Sequence, residues 1–474
     1  MLTSVARKSN VAPFLNAFTI TMIVVLMAFF NYLLLESNND KSGYTKLYLL
    51  MLVQLTPFLI CFSRGHYNYI AFIMFNHFFT YSVAKFNQLK MLTHAAAIYP
   101  EALAAIDELT ICSALTIASF YLSRQFLFYR FVEHEKFQML TLSRTQLFVV
   151  AIYVICVPMF LDKIPAWLIT LHFATMAADM VLLLCSTSPH NEKLAFYLRF
   201  GVSLSTAWYF LATGFLTMLG NLAGYIFIAA CLQKNYKQLV LPLILAVVAS
   251  LLQNVKSEYR TLIASNPNST PIERVELIGN LLYAEYFEDL QLDEIEDTDT
   301  QEDKAVSESI FMGFSRIGDD SLERVLSWTP KRVPFWNGES YAAIPYLFIP
   351  RVLWNDKPSR HLWNKFGVVY GYLGANDNQT SVAVSYIAEA YMNFGYWGMY
   401  VFSLIFGLFA AMVERASFYF LGGYYFFTFM CFLMPMMSYG SDLTSIINSI
   451  LIIMVALLLF RGQFKKMANK DEYS

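Results

Sequence analysis

Long apolar stretches alternate with short polar breaks along this chain, and the apolar stretches have bilayer length. A membrane-crossing helix needs about 20 mainly apolar residues. That rule predicts spans near 11–35, 45–62, 67–83, 106–123, 146–161, 164–185, 195–211, 213–232, 237–254, 384–412, 418–437 and 443–461. A single long polar interruption separates the ninth predicted span from the tenth. The pattern therefore predicts an all-α integral membrane protein with about twelve transmembrane helices. It also predicts the organisation: a membrane bundle over 1–254, an extramembrane loop over 255–383, and a second bundle segment with a tail over 384–474. The first apolar run, Val11 to Leu35, exceeds a signal-peptide core and has no small-residue cleavage site after it, so it is read as a retained span.

Composition agrees. The chain is 57% hydrophobic and 14% charged, against roughly 25% charged for a soluble domain, too few charges to cover a water-soluble fold of this size. A net charge of -2 offers no basic face for a nucleic acid; the bilayer is the partner that composition supports. The cysteines, Cys61, Cys112, Cys156, Cys185, Cys231 and Cys431, all fall in apolar stretches without CxxC spacing. They read as buried small hydrophobes, not as disulfides or metal ligands. No metal or other cofactor is expected. Phosphate-binding loop, dinucleotide glycine pattern, zinc-helix motif and nucleophile elbow are all missing, which weakens ATPase, redox and hydrolase readings together.

Short basic loops set the orientation. Arg124, Arg130, Lys136 and Arg144 follow the fourth span, Lys234 and Lys237 precede the ninth, and Lys465, Lys466 and Lys470 follow the last. With twelve spans all of these fall on one side, the cytoplasmic one. Both termini then lie in the cytoplasm and the long loop is external.

That loop has two halves. The first holds a turn at Asn266 to Thr270 and then ten carboxylates without a basic residue between Glu285 and Asp303, the mark of a solvated acidic surface. The second, from Arg316 to Thr380, is rich in Arg, Trp, Tyr, Gly and Pro. Within it Pro350 and Pro358 bound a turn carrying Arg351, Lys357 and, just beyond, Arg360, with Trp354 and Trp363 suited to the interface. Arg and Lys suit a multiply charged phosphate, Arg by a planar donor fork and Lys as a point charge. Arg324, Lys331 and Arg332 lie upstream, and Lys256 and Arg260 just after the ninth span. On spacing alone snorkelling and headgroup anchoring fit these cations better than a phosphate clamp does. Glu389 and Asn393, four apart at the start of the tenth span, share one helix face. A carboxylate there needs either a polar cavity or a helix–helix hydrogen bond.

Several stretches together carry a resemblance: Gly338-Glu339-Ser340-Tyr341; Ile349-Pro350-Arg351-Val352-Leu353-Trp354 with Lys357-Pro358; Phe366-Gly367 with Tyr370-Gly371; and Glu389-Ala390-Tyr391-Met392-Asn393-Phe394-Gly395 followed by Gly398. Over roughly residues 316 to 412 the chain resembles the Wzy-type polymerases of O-antigen and exopolysaccharide repeat units. Lys256-Ser257-Glu258-Tyr259-Arg260 is similar to the basic segment that opens the external loop in such proteins.

The resemblance implies a membrane glycosyltransferase of the GT-C kind in the bacterial inner membrane. Its donor would be a glycan on undecaprenyl pyrophosphate and its acceptor the next lipid-linked repeat unit, with a chain-length regulator as a further partner. It implies Arg351 with Glu339 and Glu389 as catalytic residues, Glu258 and Asp377 ranking lower as bases. Lys256, Arg260, Arg324, Arg332, Lys357 and Arg360 would hold pyrophosphate, and Trp336, Tyr341, Trp354, Tyr370 and Asn393 the glycan. Competing readings are a transporter or flippase, pointed to by Asn76, His77, His172, Asp179 and Arg199 inside spans; an O-antigen ligase, for which the loop offers His361; and a structural assembly factor.

Overall fold

The computed structural model describes residues 41–64, 67–86, 99–126, 208, 217–232, 239–266, 269–285, 320–349, 362–377, 380, 382–419, 425–437, 441–455 and 458. Every regular element among them is helical. The helices are α1 (Lys41–Arg64), α2 (Tyr69–His77), α3 (Tyr99–Phe126), α4 (Thr217–Leu232), α5 (Val240–Ser265), α6 (Pro271–Tyr283), α7 (Ser321–Trp328), α8 (Leu362–Val369), α9 (Tyr386–Tyr419), α10 (Tyr425–Met437) and α11 (Leu443–Val455). Within α1, α3, α5 and α9, the segments Gly43–Arg64, Glu101–Phe126, Val240–Ile263 and Tyr386–Ser417 are long and apolar enough to cross a membrane. The chain is accordingly read as a multi-pass membrane protein. The predicted spans near 11–35, 146–161, 164–185 and, apart from Trp208, 195–211 lie outside the described residues.

Where the predicted spans are described, helices occupy them, and the differences are at the ends, in a π-helical turn within the span at 67–83 and in a break at Gly395 within the span at 384–412. Helix α5 runs on to Ser265, past the predicted end at 254, because a hydropathy rule stops where charge begins while the backbone stays helical. Within the predicted turn at Asn266 to Thr270, of which 267 and 268 lie outside the described residues, Asn266 ends α5 and accepts from Ser269 N at 3.2 Å. Thr270 then caps α6, its hydroxyl accepting from Glu273 N at 3.3 Å while the Glu273 carboxylate accepts from Thr270 N at 2.8 Å. The predicted span at 67–83 is α2 continued through a π-helical turn at Phe78–Val83.

Helices α1, α2, α3 and α9 make the centre of the bundle, with α4 and α10 against it. Helix α9 packs along α3 at close range, since a Cβ on Gly407 would lie 2.4 Å from Thr116 O. Small residues permit such an approach in membranes, where packing and hydrogen bonds drive association more than apolar burial does. Phe75 stacks on Phe58 and Phe227, at centroid distances of 4.2 and 4.9 Å, tying α2 to α1 and α4.

Polar contacts define the two ends of this bundle. At one, Glu414 near the end of α9 accepts from Tyr69 N at 2.7 Å and pairs with Arg124 at the end of α3, at 3.6 Å. At the other, Lys46 meets Asp107 at 2.6 Å near the starts of α1 and α3, and Lys85, just past the π turn, pairs with Glu323 of α7. Helices α1, α3 and α9 thus run one way and α2 the other. The described part of the insertion's second half gathers at the end opposite Arg124. The described cysteines, Cys61, Cys112, Cys231 and Cys431, are buried.

Candidate functional site at the break in helix α9

Helix α9 is interrupted at Gly395, whose backbone sits at φ 65 and ψ −155. That region is open essentially to glycine alone, and a Cβ there would also crowd the Phe335 ring at 3.3 Å. The interruption leaves the carbonyls of Met392 and Asn393 available to groups outside the helix. The insertion supplies those groups: Trp336 N donates to Met392 O at 3.0 Å and Asn337 N to Asn393 O at 3.3 Å. Asn337 and Gly338 both have positive φ, 49 and 88, and turn the chain over the helix.

The Asn393 side chain completes the joint. Its oxygen accepts from Gly338 N at 2.8 Å, and its nitrogen donates to Ser340 Oγ at 2.7 Å and to Glu389 O at 2.8 Å. A buried amide so saturated is costly to replace.

Glu389, one turn earlier on the same face, is fully buried with the Ser340 hydroxyl beside it. Its Oε2 accepts from Leu443 N at 3.0 Å, at the start of α11. Asp442 caps the same helix end, its carboxylate accepting from Ser445 N at 2.9 Å. Two carboxyl groups thus share the first turn of α11, where exposed backbone N–H groups and the helix dipole favour negative charge. Glu389 Oε1 has no hydrogen-bond partner among the described residues, and neither has the buried hydroxyl of Tyr341. Burial, then the carboxylates of Glu389 and Asp442, push the Tyr341 pKa well above the ordinary phenol value, so it stays a neutral donor. A carboxylate with one oxygen anchored and the other unpaired, next to an unpaired phenol, is equipped to accept a hydroxyl proton.

The other predicted residues lie around this joint or apart from it. Glu339 is half-exposed and paired with Lys365 at 2.6 Å, while the Lys365 ammonium lies 4.9 Å from the centre of the buried Trp336 ring. Trp328 has Arg324 at 5.5 Å and Arg332 at 5.2 Å from its ring centre, and Arg324 also lies over Tyr372 at 5.2 Å. The Tyr370 ring is buried against Phe366, and its hydroxyl shares a 2.6 Å hydrogen bond with Thr329, an interior packing position. Burial raises the Tyr370 pKa as well. Asp377 accepts from Thr380 N at 2.8 Å. Lys256, Glu258 and Arg260 stand on α5, which packs on α4 and α6. Arg351, Trp354, Lys357, Arg360 and His361, and the acidic run beyond Glu285, lie outside the described residues.

The intramembrane groups that favoured a transporter are tied into the bundle where they are described. Asn76 donates to Met437 O, and His77 Nε2 shares a 2.5 Å hydrogen bond with the Tyr386 hydroxyl. His172, Asp179 and Arg199 lie outside the described residues.

Sequence reasoning passed over Ser340 as a site residue, Asp442, and the Lys85–Glu323 pair. Asp442 carried a signal, an Asp directly before an apolar run, as expected of a helix cap. Ser340 was visible only as part of the Gly338-Glu339-Ser340-Tyr341 stretch, and Lys85, a lone cation past a span, carried no signal.

Residues 344–468 match the family described as O-antigen polysaccharide polymerase Wzy. The match begins inside the insertion and takes in α8, the broken α9 with Glu389 and Asn393, and the α11 start at Asp442. No curated protein and no solved structure matches the chain.

Proposed function

We propose that this protein polymerises lipid-linked polysaccharide repeat units, transferring a growing glycan from undecaprenyl pyrophosphate to the next unit at the external membrane face. The observation that carries the reading is the family match over residues 344–468, because the buried carboxylate and the helix break that seats the insertion both fall inside it. In this scheme a hydroxyl of the incoming unit attacks the anomeric carbon of the donor sugar. The new C–O bond forms as the bond to pyrophosphate breaks; the electron pair departs with the phosphate oxygen, and the hydroxyl proton passes to Glu389 Oε1.

The leaving group carries the largest charge, so cations near it dominate transition-state stabilisation. Arg351, Lys357 and Arg360 are assigned this role from their sequence setting, with Arg324 and Arg332 contributing from the rim of Trp328. Ring-stacked guanidinium groups keep their in-plane donors available to phosphate oxygens. Tyr341 and Trp336 are assigned to the glycan, Asn393 to holding the loop that presents them. The architecture is assigned to the GT-C kind.

The test is polymerisation of a purified lipid-linked repeat unit in proteoliposomes, read as a glycan ladder. The expected result is a ladder from the unaltered protein and none from Arg351→Ala at equal membrane expression. No ladder from the unaltered protein with any lipid-linked repeat unit of its host would overturn the polymerase reading.

A further inference from the structure

The bundle holds a buried ammonium that the proposed chemistry does not use. Lys85 follows the third predicted span by way of the π turn, is fully buried, and pairs with Glu323 of α7, itself 7% exposed. A π turn inserts an extra residue into a helix and so rotates everything after it. Past this turn Lys85 faces Glu323 of the insertion.

Helix α7 is the piece of the insertion through which such a contact would act on the site. At its first residue, Ser321 Oγ lies 3.2 Å from Ser385 Oγ and accepts from Ser385 N at 3.2 Å, one turn before Glu389. Just past its last residue, Thr329 O accepts from the Tyr391 hydroxyl at 3.3 Å and Thr329 Oγ1 bonds the Tyr370 hydroxyl at 2.6 Å. The chain then leads, within a few residues, to Trp336, Gly338 and Ser340 at the α9 break. Helix α7 also packs on both α3 and α9.

We infer that the Lys85–Glu323 pair is a positioning device: it docks helix α7 on the bundle so that the loop at 336–341 is held over Glu389 and Asn393. Neither residue touches the reacting groups. A buried pair suits this task because a wrong register leaves a charge without its counter-charge, while general apolar packing tolerates small slips. The inference rests on the polymerase reading for its effect on turnover, but its geometric part stands apart from that reading.

Two measurements separate them. The first needs no substrate: with Cys at both Ser321 and Ser385, oxidative cross-linking in membranes reads whether α7 is docked. Lys85→Met should slow this cross-linking at least about tenfold, and Lys85→Glu with Glu323→Lys should restore it, since the swap preserves the counter-charge. The second is the ladder, made with native Ser321 and Ser385. Polymer formation should fall at least about tenfold in Lys85→Met and in Glu323→Gln, and recover in the swap and in Lys85→Arg. Membrane expression and detergent-extracted monodispersity of each variant are compared alongside. If Lys85→Met is misassembled, Lys85→Arg and the swap, which keep a pair, still decide the matter by whether cross-linking persists. Unchanged cross-linking in Lys85→Met, or a swap that fails to recover it, would overturn the positioning role. A missing ladder from the unaltered protein, with cross-linking responding as expected, would count against the polymerase reading alone.

Discussion

The second half of the insertion shows two faces that differ in how their polar groups are held. On the inner face, against the α9 break, Asn393 is joined to Gly338, Ser340 and Glu389 by hydrogen bonds of 2.7 to 2.8 Å, Glu389 accepts from Leu443 N at 3.0 Å, and the Met392 and Asn393 carbonyls freed by Gly395 accept from Trp336 N and Asn337 N. On the outer face, Arg324, Arg332 and Lys365 lie over Trp328 and Trp336, and Lys365 and Glu339 are each about half-exposed. Burial makes the inner contacts specific and individually expensive to lose. Solvent screens the outer ones, so they act as a field of positive charge in which each member is partly replaceable. Geometry is therefore stored inside and charge outside.

The hardest blow to this contrast is Gly395→Ala. An alanine backbone adopts φ 65, ψ −155 only at a cost of about 1–3 kcal/mol, and its methyl meets Phe335. The expected outcome is loss of the docked loop and no glycan ladder; a normal ladder would remove the helix break from the site. Glu389→Gln is finer, since the amide oxygen still accepts from Leu443 N. Folding should persist, while the initial rate falls by about a hundredfold, within the range for a general base. A rate within a few-fold of the unaltered protein would assign the proton to another acceptor.

On the outer face, Arg324→Ala and Arg332→Ala should each raise the half-saturating concentration of lipid-linked unit a few-fold, with a shallower dependence on salt. Equal salt dependence in variant and unaltered protein would detach both residues from the charged ligand. The smallest effect belongs to Glu339→Gln. An exposed pair is worth about 0–1 kcal/mol, so melting temperature and polymer yield should stay within error. A collapse of activity there would reverse the ranking of Glu389 over Glu339 and with it the contrast between the faces.

The sequence marked Glu389 and Asn393 as one helix face, and they are, because a spacing of four needs only a regular helix. The Gly338 motif and Gly395 were visible as residues but not as partners. Their pairing spans 55 positions from Gly338 to Asn393, and no periodicity encodes a contact at that distance. Tyr370 illustrates the converse. An aromatic in a cationic loop reads as a sugar platform, yet its ring belongs to the packing of α8 on Trp328 and its hydroxyl to Thr329. Exposure is a property of the assembled fold, and residue type alone does not carry it.

Apolar length, read from the sequence alone, determined that this is a helical membrane chain, since crossing a bilayer is a local demand on each segment. Local residue order also marked the turn before α6, while the break in α9 at Gly395 came only from the structure. Tertiary structure alone decided that the insertion's inner edge docks on that break, that Glu389 shares the α11 terminus with Asp442, and that Lys85 finds Glu323. Each of these joins residues far apart in the chain through a buried polar contact, and such a contact exists only once packing has excluded water from around it.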